Sequence, residues 1–330
     1  TQSAVIHPRT AEGRNARLLY LNTASIGIAS GGLISFLPVF LARLGASSTL
    51  VSLLTSAPAL LAIFVLMPGA MIAERSDDQV KVRVRYAYLV LIGYFLCAVA
   101  PWVVPIQWLP VALVIIWALK TFPETVGIPA WTSVVARAVS PRRRAELNGV
   151  RWALLSMVMA ISSAFFGWLL DQIAFPLNYQ IVFFISCASA GLDPFFFSKI
   201  VVPPLERAPE EAAPVERPRG ILSAPRRFVN YWRPVLQHKP FMSFMAATIT
   251  YRVALNFPVA LFSLYWVNVL HVPDTLIGLR GTVGNAALVI GYIYWGRSAN
   301  RLTHRKVLFI AAISYALYPV LTALSPSGIW

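Results

Sequence analysis

The 330 residues are 58% hydrophobic and only 12% charged, about half the charge of an ordinary soluble domain. That is too little to cover a surface facing water, so lipid must cover much of it. Lys and Arg outnumber Asp and Glu by 28 to 13, a net charge of +15; in a membrane protein such an excess belongs to cytoplasmic loops, which argues against nucleic acid as a partner.

The chain opens with a polar stretch, 1–17, that lacks the apolar core of a signal peptide and is expected to be a cytoplasmic N-terminus. A helix needs about 20 apolar residues to cross a bilayer, and apolar runs predict nine spans at 18–42, 48–73, 86–106, 108–136, 150–171, 179–200, 241–268, 275–296 and 306–325. The runs are continuous rather than alternating, which excludes a barrel. The expected fold is therefore all-α, a polytopic transmembrane helical bundle. Residues 18–200 form a six-helix N-terminal half, and 201–240, rich in Pro, Glu and Arg, form a cytoplasmic linker. Residues 241–330 supply the first three helices of a second half.

Basic residues set the orientation. The N-terminus, the loops after spans 2, 4 and 8 and the 199–240 segment together hold 24 of the 28 cations, Arg83, Arg144 and Arg151 among them. By the positive-inside rule that side is cytoplasmic, in the cell inner (plasma) membrane. The opposite loops carry almost no charge, and Trp102, Trp108, Trp168 and Trp266 sit at their edges as an aromatic belt would. Cys97 and Cys187 fall inside apolar runs, with no disulfide or CxxC spacing. None of His7, His238, His271 and His304 lies mid-membrane to hold a pigment or haem. No metal site and no cofactor is expected.

At an offset of 226 residues the chain aligns with itself without a gap: Leu44, Thr49, Leu50, Leu53, Ala73 and Arg75 match Leu270, Thr275, Leu276, Leu279, Ala299 and Arg301. Two parallel halves joined by a long linker are one known transporter plan. The loop at Gly296, Ala299, Asn300, Arg301 and Arg305, its weaker copy at Ala73, Glu74 and Arg75, and the stretch 127–145 with Pro129-Ala130, Pro141 and Arg144 resemble the signature of the major facilitator superfamily. The resemblance implies a secondary active transporter working by alternating access. In it Glu74, Arg75, Gly296, Asn300, Arg301 and Arg305 form a gating latch; the alternative is that these cations only set topology.

An ionisable group in the apolar interior costs about 2.5–3.5 kcal/mol on insertion scales, so each requires a reason. Lys120 and Glu124 lie four apart in span 4, on one helix face, where they can neutralise each other. Arg252 lies in span 7, with Thr248 and Asn256 one turn to either side. In the resembled fold spans 1, 4 and 7 line a central cavity, which makes Lys120, Glu124, Arg252, Asn22 and Asn256 the candidate substrate-binding residues. The alternative is that Lys120 and Glu124 brace Pro123 and that Arg252 snorkels. Asp193, late in span 6, is expected to be wet. With Lys120, Arg252 and Arg280 against Glu124, the field favours a small anionic or zwitterionic solute. If transport is coupled to protons, Glu124 is the expected carrier, because an apolar setting favours a neutral carboxyl group.

Span 5 lacks the Gly-Pro motif of drug–proton antiporters, and no P-loop or catalytic motif is present, so an enzyme is not expected. Nine spans are three fewer than the family's twelve. Either three spans lie beyond this sequence or the protein lacks them; in the second case the alternative function is a non-transporting accessory or assembly subunit of a larger membrane complex, with stable co-purification as its mark.

Overall fold

The structure is a computed structural model of the chain and describes residues 10–203, 237–256 and 259–299, with isolated positions between 309 and 324. In a bilayer the backbone has no water to bond, so each crossing segment must satisfy its own N–H and C=O groups. Among the described residues the regular elements are accordingly all helical. Six of the helical segments are long and apolar enough to cross a membrane, and they coincide with the first six spans expected from sequence.

The first crossing is α1 (Ala11–Ala29), a π-helical turn (Ser30–Ile34) and α2 (Ser35–Arg43). The turn falls on the Gly31-Gly32 pair, and Ser186 holds it by accepting from Leu33 N at 3.0 Å while donating to Val182 O. Then come α3 (Ser48–Arg75), α4 (Gln79–Val103) and α5 (Leu109–Ala138). A 3-10 turn leads into α6 (Arg144–Gln172), and α7 (Leu177–Phe197) follows.

Of these, α1, α4, α6 and α7 begin earlier than hydropathy alone places them, because caps rather than apolar residues start a helix. Thr10 accepts from Gly13 N to open α1, and Asp78 accepts from Lys81 N at 3.0 Å to open α4. The basic turns at 81–85 are therefore helix, where a loop was expected. Backbone N–H bonds also draw the Asp78 carboxyl below its ordinary pKa.

Beyond the linker lie α8 (Lys239–Asn256), α9 (Val259–Leu264) with a π-helical turn at Tyr265–Val269, and α10 (Asp274–Ala299). The linker residues 204–236 and most of the ninth expected span, 306–325, lie outside the described residues. The chain divides into two compact units, Thr1–Pro203 with Ala260–Trp330, and Pro204–Val259, which holds α8.

In the larger unit α5 packs on α3 and α4, α7 on α1 and α4, and α6 on α1 and α10. The α6–α10 crossing is close at Gly278, where a Cβ would collide with the Ser163 carbonyl; Ser163 in turn donates to Gly278 O at 3.1 Å. One core cluster surrounds Phe36, Phe40, Phe166, Tyr179 and Phe183, with Phe40 and Tyr179 stacked at 4.7 Å. A smaller one gathers Leu19, Val134, Leu147 and Phe197 at the end that carries the basic loops. Outward, Leu60, Ile63 and Phe64 of α3 are more than half exposed, and Trp102, Trp108 and Trp168 are half exposed at the opposite end, as lipid-facing side chains are.

The internal repeat reappears in the helix starts. Ser48 opens α3 and Asp274 opens α10, the same 226 residues apart as the matched sequence pairs.

Candidate functional site

A cavity of about 500 Å³ lies inside the larger unit, walled by α1, α3, α4, α5, α6 and α7. Its lining is mostly apolar, with polar groups at two depths along α5. At about 1.5 Å per residue, Glu124 sits about 21 Å from the helix end at Ala138, and Trp131 about 10 Å from it.

At the deeper level the Lys120 Nζ meets Glu124 Oε2 at 2.7 Å. The two partners are unequally placed: the Lys120 side chain is 4% exposed, that of Glu124 48%. Lys120 is held behind its partner, its ammonium 4.0 Å from the Trp117 ring centre and 5.3 Å from that of Tyr94, where cation–π attraction offsets part of its lost hydration. Room for it exists because position 93 on α4 is glycine; a Cβ there would lie 2.6 Å from Lys120 Cβ. Glu124 faces the cavity.

Nearer the basic end, Arg83 of α4 pairs with Asp193 of α7 at 2.7 Å, both side chains at least 85% buried. Asn22 of α1 donates through its side-chain amide to the Asp193 carboxylate and to the Asp193 carbonyl. Asp193, expected to be wet, is thus a buried ion-pair partner tying three helices together, because Arg83 reaches inward from the first turns of α4. Asn22 is fully buried in this cluster, and its Oδ1 has no hydrogen-bond partner. Arg151 of α6 also lines the cavity. Counted from sequence as a loop cation, it is 9% exposed, because α6 begins seven residues before it.

At the opposite end a second cluster joins α2, α6, α7 and α10. Arg43 donates to Asp274 Oδ1 through Nη2 at 3.0 Å and Nε at 3.3 Å, and to Val272 O at 3.1 Å. The Tyr179 hydroxyl donates to Asp274 Oδ2 at 2.9 Å. Asp171 accepts from the backbone N–H groups of Asp274 and Thr275 at 3.1 and 2.8 Å, capping α10 from another helix. The sequence alone gives Arg43 no role. Its one available signal was the repeat, which places Asp274 at a helix start.

Of the expected binding residues, Lys120 and Glu124 are brought together and Asn22 lies in the neighbouring cluster. Arg252 and Asn256 belong to the smaller unit, where the Asn256 side chain donates to Arg252 O at 2.8 Å. Of the expected latch, Arg75 is exposed at the end of α3 and Gly296 is a backbone position of α10. Asn300, Arg301 and Arg305 and the Glu74 side chain lie outside the described residues.

Residues 19–330 match the family model described as Major Facilitator Superfamily. The chain belongs to the major facilitator superfamily. The fold agrees: a bacterial homologue of the human lysosomal transporter Spinster, crystallised in an inward-facing and unoccupied conformation, superposes with a TM-score of 0.63 at 17% identity, over 90% of this chain and 64% of that one. A structure from work on substrate recognition in proton dependent oligopeptide transporters gives a TM-score of 0.48 at 13% identity, over 75% of this chain and 54% of that one. The chain thus spans less than two thirds of the length of these facilitator structures. No curated protein matches the sequence significantly.

Proposed function

We propose that this facilitator chain serves secondary active transport of a small anionic or zwitterionic solute by alternating access, coupled to protons through Glu124. The observation that carries the proposal is the unequal Lys120–Glu124 pair, a buried cation whose counter-charge is the one partner open to the cavity. A proton taken by Glu124 leaves Lys120 buried without its ion partner, which is costly. A solute anion bound in the same cavity offsets part of that cost through its field. Proton and solute binding are then linked at one place, as coupled transport requires.

In this reading the basic end faces the cytoplasm of an inner-membrane protein, and the Arg43–Asp274–Tyr179 cluster closes the outer end. Arg252 and Asn256 remain candidate solute-binding residues, and Glu74, Arg75, Gly296, Asn300, Arg301 and Arg305 act as the latch.

Counterflow exchange in proteoliposomes tests this. Vesicles preloaded with a panel of unlabelled carboxylates, amino acids and phosphate monoesters should accumulate at least one labelled member. Glu124→Gln should retain exchange and lose its pH dependence. No exchange across the panel, together with stable co-purification in a larger complex, would replace transport with the accessory-subunit reading.

A further inference from the structure

The charges around the cavity pair off with one left over. Arg83 is held by Asp193 and Lys120 by Glu124. Arg151 meets no carboxylate among the described residues. Its Nε donates to Thr23 Oγ1 at 3.0 Å and its Nη1 to Asn148 Oδ1 at 3.3 Å. The Thr23 hydroxyl spends its own proton on Leu19 O, which turns a lone pair toward Arg151. A guanidinium has five N–H donors in a planar fork, so three, including both on Nη2, have no acceptor among the described residues. The residue lines the cavity.

The surroundings hold this cation in place without neutralising it. The Trp131 ring centre lies 4.7 Å from the guanidinium carbon, close enough for a cation–π contact. A nine-tenths buried cation with no carboxylate partner among the described residues is an expensive arrangement for a structural residue, whereas guanidinium N–H groups with no acceptor among those residues suit the bidentate grip that carboxylates and phosphates take. The rest of the wall, with Ile26, Ala29, Ala62, Val90 and Leu91, is apolar.

We infer that Arg151 is the anion-recognition residue of this cavity, gripping the carboxylate or phosphate monoester of a small organic anion whose apolar body lies along α1, α3 and α4. This rests on the transport reading for its physiological meaning, but the binding event is separate from flux.

The test is titration of the purified full chain with benzoate, phenyl phosphate and neutral benzyl alcohol, followed by tryptophan emission. At least one of the two anions should bind saturably and at least about tenfold more tightly than the alcohol; the tighter anion identifies the head group. Arg151→Gln should weaken that binding by roughly tenfold or more, and Arg151→Lys, which keeps charge but loses the fork, by less. Thr23→Asp supplies an internal counter-ion, keeps the buried cation satisfied and should abolish anion binding equally. It decides the matter if Arg151→Gln fails to fold. Anion binding within about twofold of wild type in Thr23→Asp, or equal binding of benzyl alcohol, overturns the inference. Arg151-dependent binding without any vesicle exchange would uphold this site and sink the transport reading. Exchange that persists unchanged in Arg151→Gln would sink this site alone.

Discussion

Asp274→Asn should open the end of the molecule opposite the basic loops. The carboxylate is 5% exposed and accepts from Arg43 twice and from Tyr179 once. Asn is nearly the same size, so the change removes charge and one acceptor without leaving a cavity. Breaking a fully buried pair costs about 3–5 kcal/mol. Arg43, however, is 29% exposed and keeps the Val272 carbonyl, so solvent screening reduces the loss to about 2 kcal/mol. That is about a 30-fold shift in the equilibrium between closed and open ends. The assay is alkylation of an Ala42→Cys variant by a membrane-impermeant maleimide. Ala42 neighbours Arg43 and is 3% exposed, so its reaction reports opening, while Cys97 and Cys187 are buried. Adding Asp274→Asn should raise the rate by about 30-fold. An unchanged rate would mean that the cluster does not hold this end shut.

Three further outcomes follow from the geometry. Gly93→Ala forces α4 and α5 apart at Lys120 and should destabilise the protein by about 1–3 kcal/mol, read as a lower thermal midpoint. Asp193→Asn leaves Arg83 buried and unpaired and should cost about 3 kcal/mol, most of which returns in the double variant with Arg83→Gln; a double variant no more stable than the single one would refute pairing as the cause. Asp78→Ala removes the α4 cap and should cost about 1 kcal/mol. Because the folded-state pKa of Asp78 is depressed, its contribution is full above the unfolded carboxylate value and fades as pH falls through the lower folded value. The wild-type advantage over Asp78→Ala should thus shrink only in strong acid.

The first six crossings were legible because lipid leaves a chain few options: long apolar runs can only be helices. The repeat was legible because Leu44, Leu50, Leu53 and Arg75 recur with their partners in one register, and the structure shows that register again in the starts of α3 and α10. The Lys120–Glu124 contact was legible because both residues sit on one helix, four apart. What could not be read were bonds between helices. Arg83 and Arg151 looked like loop cations, because hydropathy trims amphipathic turns that Asp78 and the 3-10 turn before Arg144 in fact make helical. Asp193 looked wet because its partner lies 110 residues away, and Arg43–Asp274 spans 231. Nothing local marks such pairs.

The central claim, that solute and proton meet at Glu124, is tested most directly by measuring both fluxes in one vesicle. The purified chain is reconstituted with an internal pH dye, and the panel member that exchanges is supplied under an imposed pH gradient. The account predicts solute accumulation with matching proton movement in wild type, and in Glu124→Gln solute exchange without proton movement. Proton movement of wild-type size in Glu124→Gln would contradict it.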